Sequence, residues 1–277
     1  MPLPIIAKGI MKSLIFTVTA GHTGTEYLAK LFNLIDGVAA YHEGKANCQA
    51  LATPLGYNTI FPAIKLRPSM GIDFIKSSRE AFINSLSGHT YVETDHIIGK
   101  GFIEAWWQLK IAPKLVFLKR DPRSIAKGFF TTGVWPCYSP AGFSSTYGPD
   151  DPGVLPLPRW QRLTPYQLCY WYALAMEYRQ LKYKLFLSPE IYYEISLNQL
   201  TEYARFTAML DHLNVPYSDI RNEHAEVSAT KHNCQQKIPS FRLMLEDIDF
   251  EAEEAEVRQL VSWYEPYLIN VIENQYE

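Results

Sequence analysis

Cysteine is scarce in this sequence, and its placement argues against two common frameworks. The chain of 277 residues has four cysteines, and none forms a C-x-x-C pair: Cys48, Cys137, Cys169 and Cys234. Disulfide-stabilised secreted domains and zinc sites need cysteines that are paired or clustered at short spacings. We therefore predict reduced thiols in a cytoplasmic protein, and we expect no metal site.

Long hydrophobic runs and basic runs are also missing. A transmembrane helix needs about 18 consecutive apolar residues, which the chain does not contain, and residues 1–10 are too short for a secretory signal. The formal net charge is −3, and no basic run offers an electrostatic footprint for nucleic acid. We expect neither a membrane span nor a nucleic-acid partner, while the oligomeric state is left open.

The sequence does contain a repeated alternation of strand-like and helix-like segments. The predicted strands cover residues 14–18, 37–43, 90–96, 115–118 and 190–195. Predicted helices cover residues 27–35, 69–86, 101–109 and 251–264, and others begin at Pro122, Thr164 and Ser196. This alternation predicts an α/β fold, a three-layer α/β/α arrangement with a mainly parallel central sheet. No long polar linker interrupts it, so we predict one domain over residues 1–277.

The first strand–turn–helix unit, residues 13–35, has the pattern of an anion site. A buried strand is followed by the turn Ala20-Gly21-His22-Thr23-Gly24-Thr25, and then by apolar residues at helical spacing. Two glycines let backbone N–H groups converge, and the helix N-terminus adds partial positive charge. The turn therefore favours phosphate binding. The alternative is a βα turn whose glycines serve only the backbone.

Three cations come together after another buried strand. Residues 115–118 lead into Lys119, Arg120 and Arg123, and Pro122 takes the favoured first position of a helix. Ligands of open α/β sheets bind beyond the carboxyl ends of the strands. The cluster therefore indicates an anion site, unless its charges pair with nearby carboxylates.

Two segments are predicted to be loops. Residues 131–160 are rich in proline, glycine and aromatic residues, and a loop of this length is usually functional or disordered. The aromatic residues argue against disorder, so we predict a lid or a substrate-binding loop. Residues 218–240 have little periodicity and carry Lys231 and Lys237.

Together these stretches resemble the sulfotransferases that use 3′-phosphoadenosine-5′-phosphosulfate (PAPS) as sulfate donor. The turn Gly21-His22-Thr23-Gly24-Thr25-Glu26 is similar to the family's G-[KR]-[ST]-G-[ST] motif. The segment Arg120-Asp121-Pro122-Arg123-Ser124 is similar to its R-[DN]-P-R motif, which binds the 3′-phosphate. The resemblance implies that PAPS is bound by Gly21, His22, Thr23, Gly24, Thr25, Glu26, Arg120, Arg123, Ser124 and Lys231.

The resemblance also implies in-line transfer of a sulfuryl group to a hydroxyl or amine of a small-molecule or carbohydrate acceptor. Glu43 and His96, each near the end of a strand, are competing candidates for the group that takes the acceptor's proton. His22 is a candidate either for a cation on the departing oxygen or for a polar substitute in the turn, and no metal is implied.

Two positions depart from the family pattern. His22 stands where a lysine or arginine is usual, and Gly128 stands where a serine is usual. These departures keep two alternatives open. One is a P-loop kinase or NTPase, although the turn lacks the G-K-[ST] lysine. The other is a catalytically idle nucleotide-binding module of the same fold.

Overall fold

A computed structural model describes residues 12–43, 45–46, 49–50, 56–230 and 237–276, with only the backbone described at 45–46 and 49–50. Its strands are β1 (Ser13–Val18), β2 (Val38–Tyr41), β3 (Lys45–Ala46), β4 (Gln49–Ala50), β5 (Thr90–Glu93), β6 (Lys114–Lys119) and β7 (Tyr192–Ser196). Its first helices are α1 (Thr25–Phe32), α2 (Tyr57–Leu66), α3 (Met70–Phe74), α4 (Glu80–Ser85), α5 (Phe102–Gln108), α6 (Pro122–Thr132) and α7 (Pro140–Ser145). They are followed by α8 (Pro165–Lys184), α9 (Leu197–Leu200), α10 (Tyr203–Leu213), α11 (Arg221–Ala229), α12 (Pro239–Met244), α13 (Phe250–Ser262) and α14 (Pro266–Tyr276).

Five of these strands form one parallel sheet in the order β2-β5-β1-β6-β7, while β3 and β4 pair separately and antiparallel. In the register of the sheet, Ile15 of β1 lies opposite Val92 of β5 on one side and Lys114 of β6 on the other. The predicted fold class is confirmed, because the parallel sheet has helices on both faces.

Each central strand sends alternate side chains to two separate hydrophobic clusters. Ile15 and Val116 pack with α1 and α10 on one face of the sheet, whereas Phe16 and Phe117 pack with α5, α6 and α8 on the other. Successive side chains of a strand point to opposite faces, so a strand that is apolar throughout can be buried only between two layers. The continuous apolar runs of β1 and β6 follow from this arrangement.

The longest described helix, α8, packs on the same face of the sheet as α6. Its predicted capping box is confirmed: Thr164 Oγ1 accepts from the N–H of Gln167, and the Gln167 side chain accepts from the N–H of Thr164. Trp171 and Tyr172 of this helix are fully buried. Among the described residues, no helix is both long and apolar enough to cross a membrane.

Residues 131–160 are not the open loop that their composition predicts. They include α7, which Ser139 caps by accepting from the N–H of Gly142, and Pro140 is the first residue of that helix. Leu155 and Leu157 are buried. The Leu155 carbonyl accepts from Trp171 Nε1. The segment is therefore packed against α8, and its proposed action as a lid stays a prediction.

Three other helix predictions need correction. The segment 218–240 was predicted to be a loop but includes the helix α11. The one buried residue of α11 is His224, so contacts with α1 and α10 stabilise this helix without a periodic apolar face. The helix that begins after the Ser196 capping box is the single turn α9, and α10 follows it separately. The segment 251–264 is helical as predicted in α13, but α14 follows it.

Candidate functional site

The predicted site residues that the structure describes gather at one edge of the sheet, beyond the carboxyl ends of its strands. The glycine turn follows β1, Glu43 follows β2, His96 follows β5 and Arg120 follows β6. The strand order reverses beside β1, because β2 and β5 lie on one side of it and β6 and β7 on the other. Crevices at such reversals are where open α/β sheets bind ligands.

Glycine is required at two positions of the turn. Gly21 has φ 98° and Gly24 has φ 95°, left-handed conformations that side chains rarely adopt. A Cβ atom at Gly24 would lie 2.4 Å from Leu197 Cδ1. His22, between them, also has positive φ, at 54°. The backbone of the turn is therefore held in an uncommon conformation at three positions.

The hydroxyl groups of the turn have different surroundings. Thr23 is buried, with its Oγ1 2.7 Å from Thr19 Oγ1, and Thr19 in turn donates to the Leu118 carbonyl at 2.9 Å. Thr23 therefore ties the turn to β6. Thr25 lines a cavity beside the turn, while Glu26 forms an ion pair with Lys30 at 2.8 Å.

The two departures from the family pattern lie in contact with each other. A Cβ atom at Gly128 would lie 2.6 Å from His22 Cγ and 2.8 Å from its Nδ1. The His22 ring packs edge-on against Phe129, with 4.5 Å between ring centroids. The imidazole thus occupies the volume that a side chain at position 128 would need.

His22 is also uncharged near neutral pH. Burial, followed by the positive charges of Arg120 and Lys237, lowers the pKa of His22 from 6.5 to about 4. The neutral ring is consistent with a polar substitute in the turn, and the role of a cation on the departing oxygen stays a prediction.

In the described part of the chain, Arg120 is the one of the three cations after β6 that forms no ion pair, although the charge of neighbouring Asp121 acts on it. Lys119 Nζ lies 2.8 Å from Glu177 and 3.3 Å from Glu194. Arg123 has its own pair of carboxylates, described below. Arg120 instead donates from Nη1 to the His22 carbonyl at 2.6 Å, which joins it to the glycine turn.

Arg123 is paired with two carboxylates of α13. Its Nε lies 2.8 Å from Glu254 and its Nη2 lies 2.6 Å from Glu251. Asp121 caps α6 by accepting from the N–H groups of Ser124 at 2.8 Å and of Arg123 at 3.3 Å. The alternative that these charges pair with carboxylates therefore applies to Arg123 and to Lys119, but not to Arg120.

A cavity of 410 Å³ with a cationic lining opens beside Arg120 and His22. It is lined by His22, Arg120, Ser124, Lys127, Gly128, Thr131, Lys237, Arg242 and Leu245. Four of these residues are cations, and within the described part of the chain no carboxylate lines the cavity. The sequence argument missed Lys127 and Arg242. One signal in the sequence could have found part of this lining. Spacings of three and four residues place Ser124, Lys127, Gly128 and Thr131 on one face of α6.

A cavity of 240 Å³ adjoins the first at His22 and contains both candidate bases. Its lining includes Gly21, Thr25, Glu43 and His96. Glu43 Oε1 lies 3.8 Å from His96 Nε2 and 3.9 Å from His42 Nε2. Glu43 has φ 51°, a left-handed conformation that is uncommon outside glycine. The structure thus brings Glu43 and His96 together.

The groups behind this cavity are buried and shift one another's pKa. Burial, followed by the positive charge of Lys100, holds the pKa of His96 well below its ordinary value. Burial, followed by the charge of Glu43, raises the pKa of Asp95 to about 6, although Asp95 accepts a hydrogen bond from the N–H of Ile97 at 2.7 Å. His96 is therefore a neutral ring near pH 7.

A third cavity, of 680 Å³, adjoins the cationic one at Arg120 and Ser124. It extends toward β7 and α9 and is also lined by Asn198 and Gln199. Lys231 lies outside the described residues, so its predicted contribution stays a prediction. Within the described ranges, no group of three or more His, Cys, Asp or Glu side chains is placed to hold a metal ion.

Comparisons with known proteins give a likeness among solved structures and none among family models or curated proteins. Among solved structures, a sulfotransferase domain from the curacin biosynthetic pathway is similar, with 12% sequence identity and a TM-score of 0.49. The alignment covers 91% of this chain and 98% of that domain.

Proposed function

We propose that this protein is a sulfotransferase that moves a sulfuryl group from PAPS to a hydroxyl or amine of a small-molecule or carbohydrate acceptor. The observation that carries the proposal is the cationic cavity next to the glycine turn, in which none of the described lining residues is a carboxylate. It adjoins the cavity of Glu43 and His96 at His22. An anion site beside a candidate proton acceptor is the arrangement that sulfuryl transfer from a phosphosulfate requires.

The positively charged groups of the site indicate where the phosphate groups of the nucleotide would bind. Arg120 offers a planar guanidinium that matches phosphate oxygens, and with Ser124, Lys127 and Arg242 it is proposed to hold the 3′-phosphate. The backbone N–H groups of the turn 21–25 are proposed to bind the phosphosulfate. Arg123 is left out, because its two carboxylate partners already neutralise it.

The proposed reaction is a single displacement at sulfur. The acceptor oxygen or nitrogen forms a bond to sulfur, and the bond from sulfur to the 5′-phosphate oxygen breaks. Adenosine 3′,5′-bisphosphate leaves, and the acceptor proton passes to Glu43 or His96. A positioned proton acceptor contributes roughly 10²–10⁴-fold to such a rate. The left-handed backbone at His22 and Glu43 supports a functional site here, because strained residues cluster at such sites.

The test is calorimetric titration with adenosine 3′,5′-bisphosphate. We expect Arg120→Ala to weaken binding by tenfold or more, about 1.4 kcal/mol. Arg120→Lys keeps the positive charge but loses the planar pair of N–H donors, so its affinity should lie between those of the wild type and Arg120→Ala. Arg162→Ala is the matched control, because Arg162 is an exposed arginine that lines none of the three cavities.

Three results would contradict the proposal in different ways. Failure of the wild type to bind the bisphosphate would reject PAPS as the donor. Magnesium-dependent turnover of ATP would favour the kinase or NTPase alternative. Binding of the bisphosphate with no sulfuryl transfer from PAPS across a panel of hydroxyl and amine acceptors would favour an idle nucleotide-binding module.

A further inference from the structure

Lys100 lies behind His96, on the side of the ring that faces away from Glu43. Its side chain is fully buried, and its Nζ lies 2.9 Å from His96 Nδ1. The same Nζ donates to the carbonyl of Ser145. The ammonium position also lies over two aromatic rings, 5.0 Å from the centre of Tyr172 and 5.5 Å from that of Phe61.

A buried lysine is costly, which makes its contacts informative. Taking an ammonium group out of water costs several kcal/mol unless partners compensate it. Burial holds the pKa of Lys100 well below its ordinary value. The partners of Nζ, His96 Nδ1 and the Ser145 carbonyl, are therefore the contacts that offset this cost.

The contact between Lys100 and Nδ1 bears on which nitrogen of His96 carries the proton. An ammonium group has no lone pair, so toward Nδ1 it can only donate. An uncharged amine has two N–H groups and one lone pair, so it can either donate to Nδ1 or accept from it. The aromatic faces of Tyr172 and Phe61 favour the ammonium form, which donates to Nδ1, and the neutral ring then carries its proton on Nε2.

The opposite side of the ring favours the same tautomer. His96 Nε2 lies 3.8 Å from Glu43 Oε1, and a carboxylate stabilises a hydrogen that points toward it. A competing arrangement exists, because a hydrogen bond to the backbone of Ala20 also favours a proton on the ring. A proton on Nδ1, directed at that backbone, would be the opposite tautomer.

We propose that Lys100 is a positioning residue that holds His96 in the Nε2–H tautomer, so that His96 presents a donor to the cavity and Glu43 is the proton acceptor. The tautomer follows from this chain's own contacts, and only the assignment of Glu43 to the acceptor proton rests on the proposed function. The titratable groups that act on the pair are His22, His42, Glu43, Lys65, Asp95 and Arg179.

The test is the tautomer itself, observed by long-range ¹H–¹⁵N correlation spectra of protein labelled with ¹⁵N-histidine at pH 7.5. His96→Gln assigns the signal by removing it. We expect the Nε2–H tautomer in the wild type with a preference of about tenfold or more. In Lys100→Met, which keeps the length but lacks the donor, that preference should fall severalfold, because only Glu43 still favours a proton on Nε2. Lys100→Arg keeps a donor and should restore part of it.

Lys76→Met is the control, because Lys76 is an exposed lysine away from the ring. An Nδ1–H tautomer in the wild type would overturn the proposal. The proposal can therefore be tested even if Lys100→Met fails to fold. An unchanged tautomer preference in folded Lys100→Met would overturn it as well.

The titration with adenosine 3′,5′-bisphosphate separates this inference from the function. An Nε2–H tautomer in a protein that does not bind the bisphosphate would reject the sulfotransferase while leaving the role of Lys100 at His96. An Nδ1–H tautomer in a protein that binds the bisphosphate would reject the role of Lys100 while leaving the proposed sulfotransferase function.

Discussion

At the scale of the residue, His22 and Gly128 are best understood as a pair. Each departs from the sulfotransferase pattern, and in the sequence they are unrelated positions. In the structure the His22 ring fills the space beside Gly128, where a Cβ atom would lie 2.6 Å from Cγ of the ring. The change at one position thus explains the glycine at the other.

A double-mutant cycle tests this pairing. Gly128→Ala alone should lower the free energy of unfolding by about 1–3 kcal/mol, because the added methyl group overpacks the contact with the ring. In a His22→Ala background the same substitution should be neutral or should stabilise by up to about 1 kcal/mol, because alanine has the higher helix propensity. Urea denaturation measures both. Equal effects of Gly128→Ala in the two backgrounds would contradict the pairing.

Residue type alone did not separate the cations after β6. Lys119, Arg120 and Arg123 are each a cation near the end of a buried strand, and only the resemblance to the sulfotransferases favoured Arg120 and Arg123 as phosphate ligands. Partners distant in the chain separate them: Glu177 lies beside Lys119 and Glu254 beside Arg123. Those carboxylates are brought close only by tertiary packing, so sequence reasoning could state the alternative but could not choose.

At the scale of the element, Lys119 joins four separate parts of the fold. It ends β6 and reaches Glu177 on α8, Glu194 on β7 and, at 3.3 Å, Gln275 on α14. The hydroxyl of Tyr276 donates to the other oxygen of Glu177 at 2.9 Å. The C-terminal helix is thereby attached to the sheet at a buried polar cluster.

Removing one member of this cluster should destabilise the protein strongly. Lys119→Met leaves Glu177 buried without its cation, and we expect a loss of about 3–5 kcal/mol in the free energy of unfolding. The double variant Lys119→Met/Glu177→Leu should recover part of that loss, because no buried charge is left unpaired.

Lys114→Met is the matched control for that experiment. Lys114 lies at the other end of β6, where its Nζ donates to the backbone carbonyl of Glu190, so its removal should cost about 1 kcal/mol or less. If the double variant were as unstable as Lys119→Met, the buried charge would not be the cause.

Local signals in the sequence predicted elements well where they were strong. The capping boxes at Thr164 and Ser196 are confirmed, because their bonds join residues three apart and need no tertiary context. The sequence argument missed five helices: α2, α7, α11, α12 and α14. Proline and glycine obscured α7, and α11 has one buried residue, so its helical face had almost no periodic signal.

At the scale of the whole molecule, buried histidines make stability depend on pH. Burial lowers the pKa of His22 to about 4, lowers that of His224, and holds that of His96 well below the ordinary value. Below pH 6.5 the unfolded chain takes up protons at these rings while the native state does not. The free energy of unfolding should therefore fall as the pH drops from 6.5 toward 4. Asp95, with its pKa raised from 3.8 to about 6, opposes this between those two pH values.

His22→Asn should reduce that slope. When the unfolded state binds one proton more than the native state, the free energy of unfolding changes by about 1.4 kcal/mol per pH unit. Between pH 6.5 and 4, His22→Asn should reduce the slope by up to that amount per pH unit. Urea denaturation at a series of pH values gives the slope for each variant. His89→Asn serves as the control because the His89 ring is exposed. The same slope in His22→Asn and in the wild type would contradict the account.

The sequence by itself determined the α/β class, the parallel sheet and the glycine turn at its edge. These features rest on periodicity and on turn chemistry, which act between residues near one another in the chain. The tertiary structure alone decided that Arg120 lines the cationic cavity with Arg242 and that Lys100 lies against His96 Nδ1. The charge, tautomer and accessibility of a side chain depend on burial and on partners, and packing supplies both.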